Sequence, residues 1–178
     1  MLGKEFTVDR YGVEMPEFAS AAYRQAATAI NLGQAYQLLA ARQKLRTGQD
    51  PVAQAVAELE RTTGGRTDAI AEIQAAREGY LAAAAAFEEM RRKARANVRD
   101  LALWVEGVRL NIFYADFLLA AVAGELPARA SEFLERLSRL REQTSGLFSD
   151  TYEARSVEEE LDLRYGFHAD YLRGLAHN

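Results

Sequence analysis

Three ionisable residues stand inside the most apolar part of the chain: Glu106, Arg109 and Asp116, in the stretch RDLALWVEGVRLNIFYADFLLAAVAG. Separations of three and seven let them share one side of a helix, with Asn111 and Tyr114 nearby. Two carboxylates in apolar surroundings are the residue types that general acid and base work uses. The same spacing suits a plain ion pair, since Arg109 lies one turn from Glu106, and the group then forms a structural hydrogen-bond network or faces water. The rest of the chain supplies no nucleophile, cofactor loop or oxyanion donor, so no catalytic residue is assigned. A small ligand entering a helical bundle at this level would be lined by Trp104, Arg109, Phe113, Tyr114 and Asp116.

Other chemistry finds less support. A di-iron carboxylate centre needs Glu-x-x-His pairs from two helices, but the histidines are His168 and His177, and the residue three before His168 is Tyr165. His168 reads as a partly buried surface histidine. Gly64-Gly65-Arg66-Thr67 lacks the glycine spacing and lysine of a phosphate loop. Ser149, in Gly-Leu-Phe-Ser-Asp, is not on a nucleophile elbow. With Cys 0 there are no disulfides, thiolate zinc sites or cysteine nucleophiles. Glu158-Glu159-Glu160 with Arg155 and Arg164 reads as a solvated helix start. Neither a metal nor a cofactor is expected.

The elements that must carry these residues are helical. Leu101, Trp104, Val105, Val108, Ile112, Ala115, Leu119 and Val122 recur at steps of three and four. Leu103, Leu110, Phe113, Phe117 and Leu118 add apolar surface beyond that stripe, which predicts a helix surrounded by its neighbours. Unbroken from Asp68 to Gly124, it would be about 85 Å long, against a radius of gyration of roughly 16 Å for a compact chain of this size. A break near Asn97 is therefore expected. Ala82 to Ala86 present little bulk, so a neighbouring helix can approach closely.

Around this centre, Pro16 opens a helix running to Leu45 through Gly33 and ending at a Gly48 cap. Asp50 caps a second helix that begins at Pro51 and ends near Thr62. Thr67 or Asp68 caps a third. Leu126-Pro127 restarts the chain after Gly124, and the new helix stops near Ser145-Gly146. Phe148 to Arg155 reads as irregular, and Ser156-Val157-Glu158-Glu159 has the form of a capping box. The final helix carries Val157, Leu161, Tyr165, His168 and Leu172 on one face. The expected fold is all-α: a single domain over 1–178, an elongated antiparallel bundle of about five helices around one long, bent central helix. Residues 1–15 form an irregular lead-in.

The formal net charge is −4, so the positive field expected of a nucleic-acid binder is missing. Leu101 to Val122 is long enough to suggest a membrane span, but Glu106, Arg109 and Asp116 would each be costly in hydrocarbon. No membrane association is expected. No run of signal-peptide length follows Lys4, which points to a cytoplasmic location.

Three stretches resemble the all-helical C-terminal region that follows the catalytic barrel in some bacterial family 20 glycoside hydrolases, the β-N-acetylhexosaminidases. They are EFTVDRYGVEMPEFASAAYRQAATAINLGQAY, RDLALWVEGVRLNIFYADFLLAAVAGE and ERLSRLREQTSGLFSDTYEARSVEEELDLRYGFHADYL. In that family a catalytic Asp-Glu pair sits in a (β/α)8 barrel and the substrate's acetamido group is the nucleophile. Such a barrel takes about 250 residues, and the 178 residues here show no succession of strands. The resemblance therefore implies no catalytic residue. It implies an accessory helical domain of a larger protein, partnered by a neighbouring catalytic domain or by a second copy of the chain. The alternative is a small-ligand-binding bundle using the five residues named above.

Overall fold

The computed structural model describes residues 4–14, 50–148 and 153–176, and among them the chain is all-α, with no strand. The helix expected over Pro16 to Leu45, with Gly33 and Gly48, lies outside the described residues, as do Ser149 and His177. Seven α-helices are described. In chain order they are α1 (Lys4–Tyr11), α2 (Pro51–Thr63), α3 (Arg66–Lys93), α4 (Val98–Ala123), α5 (Leu126–Phe148), α6 (Ala154–Leu161) and α7 (Phe167–Ala176). A π-helical turn, Asp162–Gly166, joins α6 to α7.

Local chemistry sets most of the ends. Asp50 Oδ1 accepts hydrogen bonds from the amides of Val52 at 2.8 Å and Ala53 at 3.3 Å, and Pro51 occupies the first helical turn of α2. Gly64 (φ 99°) and Gly65 (φ 134°) both take positive φ and turn the chain straight into α3. No room remains for a Thr67 or Asp68 cap. The helix opens at Arg66, and Asp68 lies in its first turn, where a carboxylate suits the positive end of the dipole.

The expected break falls where the sequence placed it. Lys93 ends α3, Ala94 is extended and Asn97 takes the left-handed conformation (φ 51°) before α4. It is a full reversal. Arg66 reaches the Val122 carbonyl, Arg77 pairs with Asp116, and Phe87 stacks on Trp104, so α3 and α4 form an antiparallel hairpin about 40 Å long. Gly124 (φ 75°) caps α4 by donating to the carbonyls of Ala120 and Ala121, and α5 runs back alongside.

Three expectations at the periphery need correction. The irregular lead-in is in part the helix α1, whose Thr7 and Tyr11, four residues apart, are buried. Two inward positions make no visible stripe, and α1 is instead held by tertiary ties. The Arg95 amide donates to the Tyr11 carbonyl at 2.9 Å, Asn97 Nδ2 donates to the Arg10 carbonyl at 2.7 Å, and Arg10 pairs with Asp100. Next, α5 does not stop at Ser145-Gly146. Gly146 is not among the positive-φ glycines, and Arg99 donates to the Leu147 carbonyl at the end of the extended helix. Finally, α6 starts at Ala154, two residues before the expected cap. The Val157 amide already donates to the Glu153 carbonyl at 3.1 Å, so the first turn closes without the Ser156 hydroxyl.

Helix α4 is the centre. One core cluster joins it to α2, α3, α5, α6, the π turn and α7 around Phe113, Phe117 and Phe133; a second joins it to α1 and α3 around Tyr80, Phe87, Met90 and Val105. Val157, Leu161, Tyr165, His168 and Leu172 are all buried, as their spacing implied. Ala83 and Ala86 in the alanine run are fully buried too. Among the described residues no helix is long and apolar enough to cross a membrane.

Because Phe117 is 0 % exposed and in ring contact with Phe113, Phe133, His168 and Tyr171, Phe117→Ala should lower unfolding stability by about 3–5 kcal/mol. Leu163→Ala, at a side chain 76 % exposed, should change it by less than about 0.5 kcal/mol. Urea denaturation followed by circular dichroism checks both.

Candidate functional site

Asp116 sits between three helices. Its Oδ1 accepts from Arg77 Nε of α3 at 2.5 Å, and its Oδ2 accepts from Arg136 of α5. Both oxygens are engaged by guanidinium groups in a place only 15 % exposed for the Asp116 side chain. The hydrogen bond to Asp116 raises the Arg77 guanidinium above its ordinary pKa. Asp116 is thus a fastener between helices, with each of its oxygens already engaged by a cation.

Glu106 is held differently. Its Oε1 accepts from Arg109 at 2.6 Å, and Arg109 also donates to Glu88 Oε1 of α3 at 2.9 Å. Arg91 Nε completes the row by donating to Glu88 Oε2 at 2.9 Å. The pairing of Glu106 with Arg109 is the one the spacing indicated. Glu106 Oε2, however, is buried and accepts no hydrogen bond. Buried carboxylate oxygens normally have a partner, so this atom is where a hydrogen-bond donor would be most stabilised.

The separation of the two carboxylates limits their joint chemistry. Glu106 and Asp116 are ten residues apart on one uninterrupted helix, about 15 Å along its axis. Acid and base carboxyls flanking a single glycosidic bond lie about 5–10 Å apart. These two cannot serve one scissile bond.

The five ligand-lining candidates are placed as follows. Phe113 and Tyr114 are brought together, their rings meeting edge-on at 6.0 Å, and both contact His168. Trp104 is 40 % exposed and stacks on Phe87 with ring centres 5.8 Å apart. Arg109 belongs to the Glu88 and Glu106 row, and Asp116 to the Arg77 and Arg136 clamp. Tyr114 directs its hydroxyl to the Arg164 carbonyl at 2.8 Å.

That carbonyl lies in the π turn, where the wider helical turn disturbs the regular backbone ladder and a side chain can serve as donor. Next to it, Tyr165 and Thr144 share a buried hydroxyl–hydroxyl hydrogen bond of 2.8 Å. Burial raises the Tyr165 pKa, opposed by the Thr144 hydrogen bond. His168 is not the partly buried surface histidine expected; it is 0 % exposed and ringed by Phe113, Tyr114, Phe117 and Phe167. The sequence reading also missed Arg77, Glu88 and Arg136, whose partners lie 39, 21 and 20 positions away. No periodicity marks such pairs.

Among the described residues no group of three or more His, Cys, Asp or Glu is placed to hold a metal ion. In comparison with known proteins, the chain matches no family model, no curated protein and no solved structure.

If Asp116 fastens three helices, Asp116→Asn should cost about 1–3 kcal/mol, since it leaves two half-buried guanidinium groups without their counter-charge. Replacing Arg77 and Arg136 together by Met in that background should restore part of the loss. Urea midpoints of the wild type and the two variants read this out directly.

Proposed function

We propose that this chain is a non-catalytic helical accessory or interaction module that acts by packing against another protein surface. The observation that carries this reading is the engagement of Asp116 on both oxygens by Arg77 and Arg136, with Glu106 held by Arg109 well away along the same helix. The charges of the apolar stretch serve architecture. The resemblance to the helical region of family 20 glycoside hydrolases supports a setting in a larger β-N-acetylhexosaminidase-like enzyme, where the module would pack on a (β/α)8 barrel or pair with a second copy.

A second reading is favoured by one observation. The orphaned Glu106 Oε2 would welcome a donor, which suits a small-ligand-binding bundle, with Arg109 the nearest of the five candidate lining residues.

The chain on its own should give a strongly helical circular dichroism spectrum and leave 4-nitrophenyl N-acetyl-β-glucosaminide intact over hours. Turnover that disappears in Glu106→Gln, with the fold unchanged, would refute the accessory reading. The ligand-binding alternative requires a thermal shift with sugars or amines that is lost in the same variant; a ligand at about a hundred times its Kd adds roughly 2.7 kcal/mol of stability.

A further inference from the structure

Glu106 carries a buried oxygen that accepts no hydrogen bond, and the register of α4 against α5 sets what lies across from it. Glu106, Leu110, Phe113 and Phe117 follow one another on α4 at steps of four, three and four, and Phe133, Leu137, Leu140 and Thr144 do the same on α5. The two helices run antiparallel, and the rings of Phe117 and Phe133 meet edge-on at 6.1 Å. Glu106 stands eleven residues before Phe117 and Thr144 eleven after Phe133, so the carboxylate and the hydroxyl lie at one level. Arg99, donating to the Leu147 carbonyl further along, keeps the same register.

Three buried polar side chains share that level: Glu106 is 8 % exposed, Thr144 3 % and Tyr165 2 %. Tyr165 comes from the π turn, and its hydroxyl bonds that of Thr144 at 2.8 Å. Burial above all raises the Tyr165 pKa, and the charge of Glu106 adds to the rise, as a nearby carboxylate does. The two hydroxyls hold two protons and their bond uses one, whichever oxygen donates. Among the described residues the second proton has no acceptor and Glu106 Oε2 has no donor. A single oxygen that donates to one and accepts from the other satisfies both.

Charge selects among the groups that could do this. Glu106 and Glu88 are matched by Arg109 and Arg91, and the cations nearest Tyr165 are spoken for, Arg141 by Glu158 and Asp162 and Arg164 by Glu160. An ammonium would bring an unmatched positive charge into a buried place, and a carboxylate would be repelled by Glu106. The guest that fits is neutral. We propose that Glu106, Thr144 and Tyr165 form a binding site for one hydroxyl group of a small neutral alcohol or polyol, a site that rests on the ligand-binding reading of the chain and fixes its ligand class. The hydroxyl donates to Glu106 Oε2 and accepts from the Thr144–Tyr165 pair.

Backbone amide NMR shifts of the full chain, titrated with ethylene glycol, methylammonium chloride and sodium acetate at equal ionic strength, test the site. Ethylene glycol should give saturable shifts centred on Glu106, Thr144 and Tyr165, with a Kd at least about tenfold below that of either ion. Glu106→Gln, which removes the charged acceptor, and Thr144→Val with Tyr165→Phe, which removes both hydroxyls at nearly constant shape, should each weaken glycol binding at least about tenfold. The two variants are independent, so one that fails to fold leaves the other to decide. Methylammonium or acetate binding there as tightly as the glycol would overturn the hydroxyl assignment and spare the ligand-binding reading. Silence from all three probes, as when water alone fills the site, would sink that reading with it. Glycol shifts that do not saturate, or that survive in both variants, would mark general solvation and overturn the site.

Discussion

Helix α4 is apolar on nearly every side, and that single constraint organises the molecule. Leu101, Val105 and Val108 face α3, while Phe113 and Phe117 face α5 and α7. A helix of this kind has no face it can leave in water. It must be enclosed, and the short connections at Ala94–Asn97 and Gly124 fold its own neighbours back along it. Enclosure then decides the fate of every charge it carries. A carboxylate removed from water without partners would cost several kcal/mol, so Asp116 and Glu106 are held by arginines from the same and neighbouring helices.

These ion pairs contribute geometry more than raw stability, since a half-buried pair gives back in desolvation much of what it gains in attraction. Their value lies in register. The α3 surface from Ala82 to Ala86 is smooth, and a smooth apolar face resists sliding by a helical turn only weakly. Arg77 with Asp116 and Glu88 with Arg109 tie α3 to α4 at two levels. A one-turn slip, about 5.4 Å, would break both. Arg66 on the Val122 carbonyl and Arg99 on the Leu147 carbonyl do similar work at two helix ends, satisfying acceptors that have no partner within their own helices.

What the sequence made legible was what is decided within a few residues. Asp50-Pro51, the glycine at 124 and the polar break before Val98 announce their own geometry, and Glu106 with Arg109 is a one-turn pair. The hidden parts are tertiary. Helix α1 exists because the Ala94–Asn97 turn grips its last residues, which no local pattern records. The Asp116 clamp joins positions 39 and 20 residues distant. The π turn is invisible because spacings of four, four, three and four look helical with or without one wider turn. His168 was misplaced because a polar side chain suggests a surface, whereas the aromatic rings that bury it come largely from α4.

The same contacts discriminate between the two functional readings. Of the five residues that might line a ligand pocket, Asp116 has both oxygens bound, Tyr114 has spent its hydroxyl on the π turn, and Phe113 is closed in by Phe133 and His168. A ligand at that level would have to break contacts that hold α4, α5 and α7 together, at a cost comparable to the stability of a small domain. At the level of Glu106 the balance differs. There a buried oxygen accepts nothing, and a donor would repair an existing deficit. The deficit that a donor could repair therefore lies in the half of α4 nearest the hairpin turn, and the half gathered around Asp116 holds the helices in place.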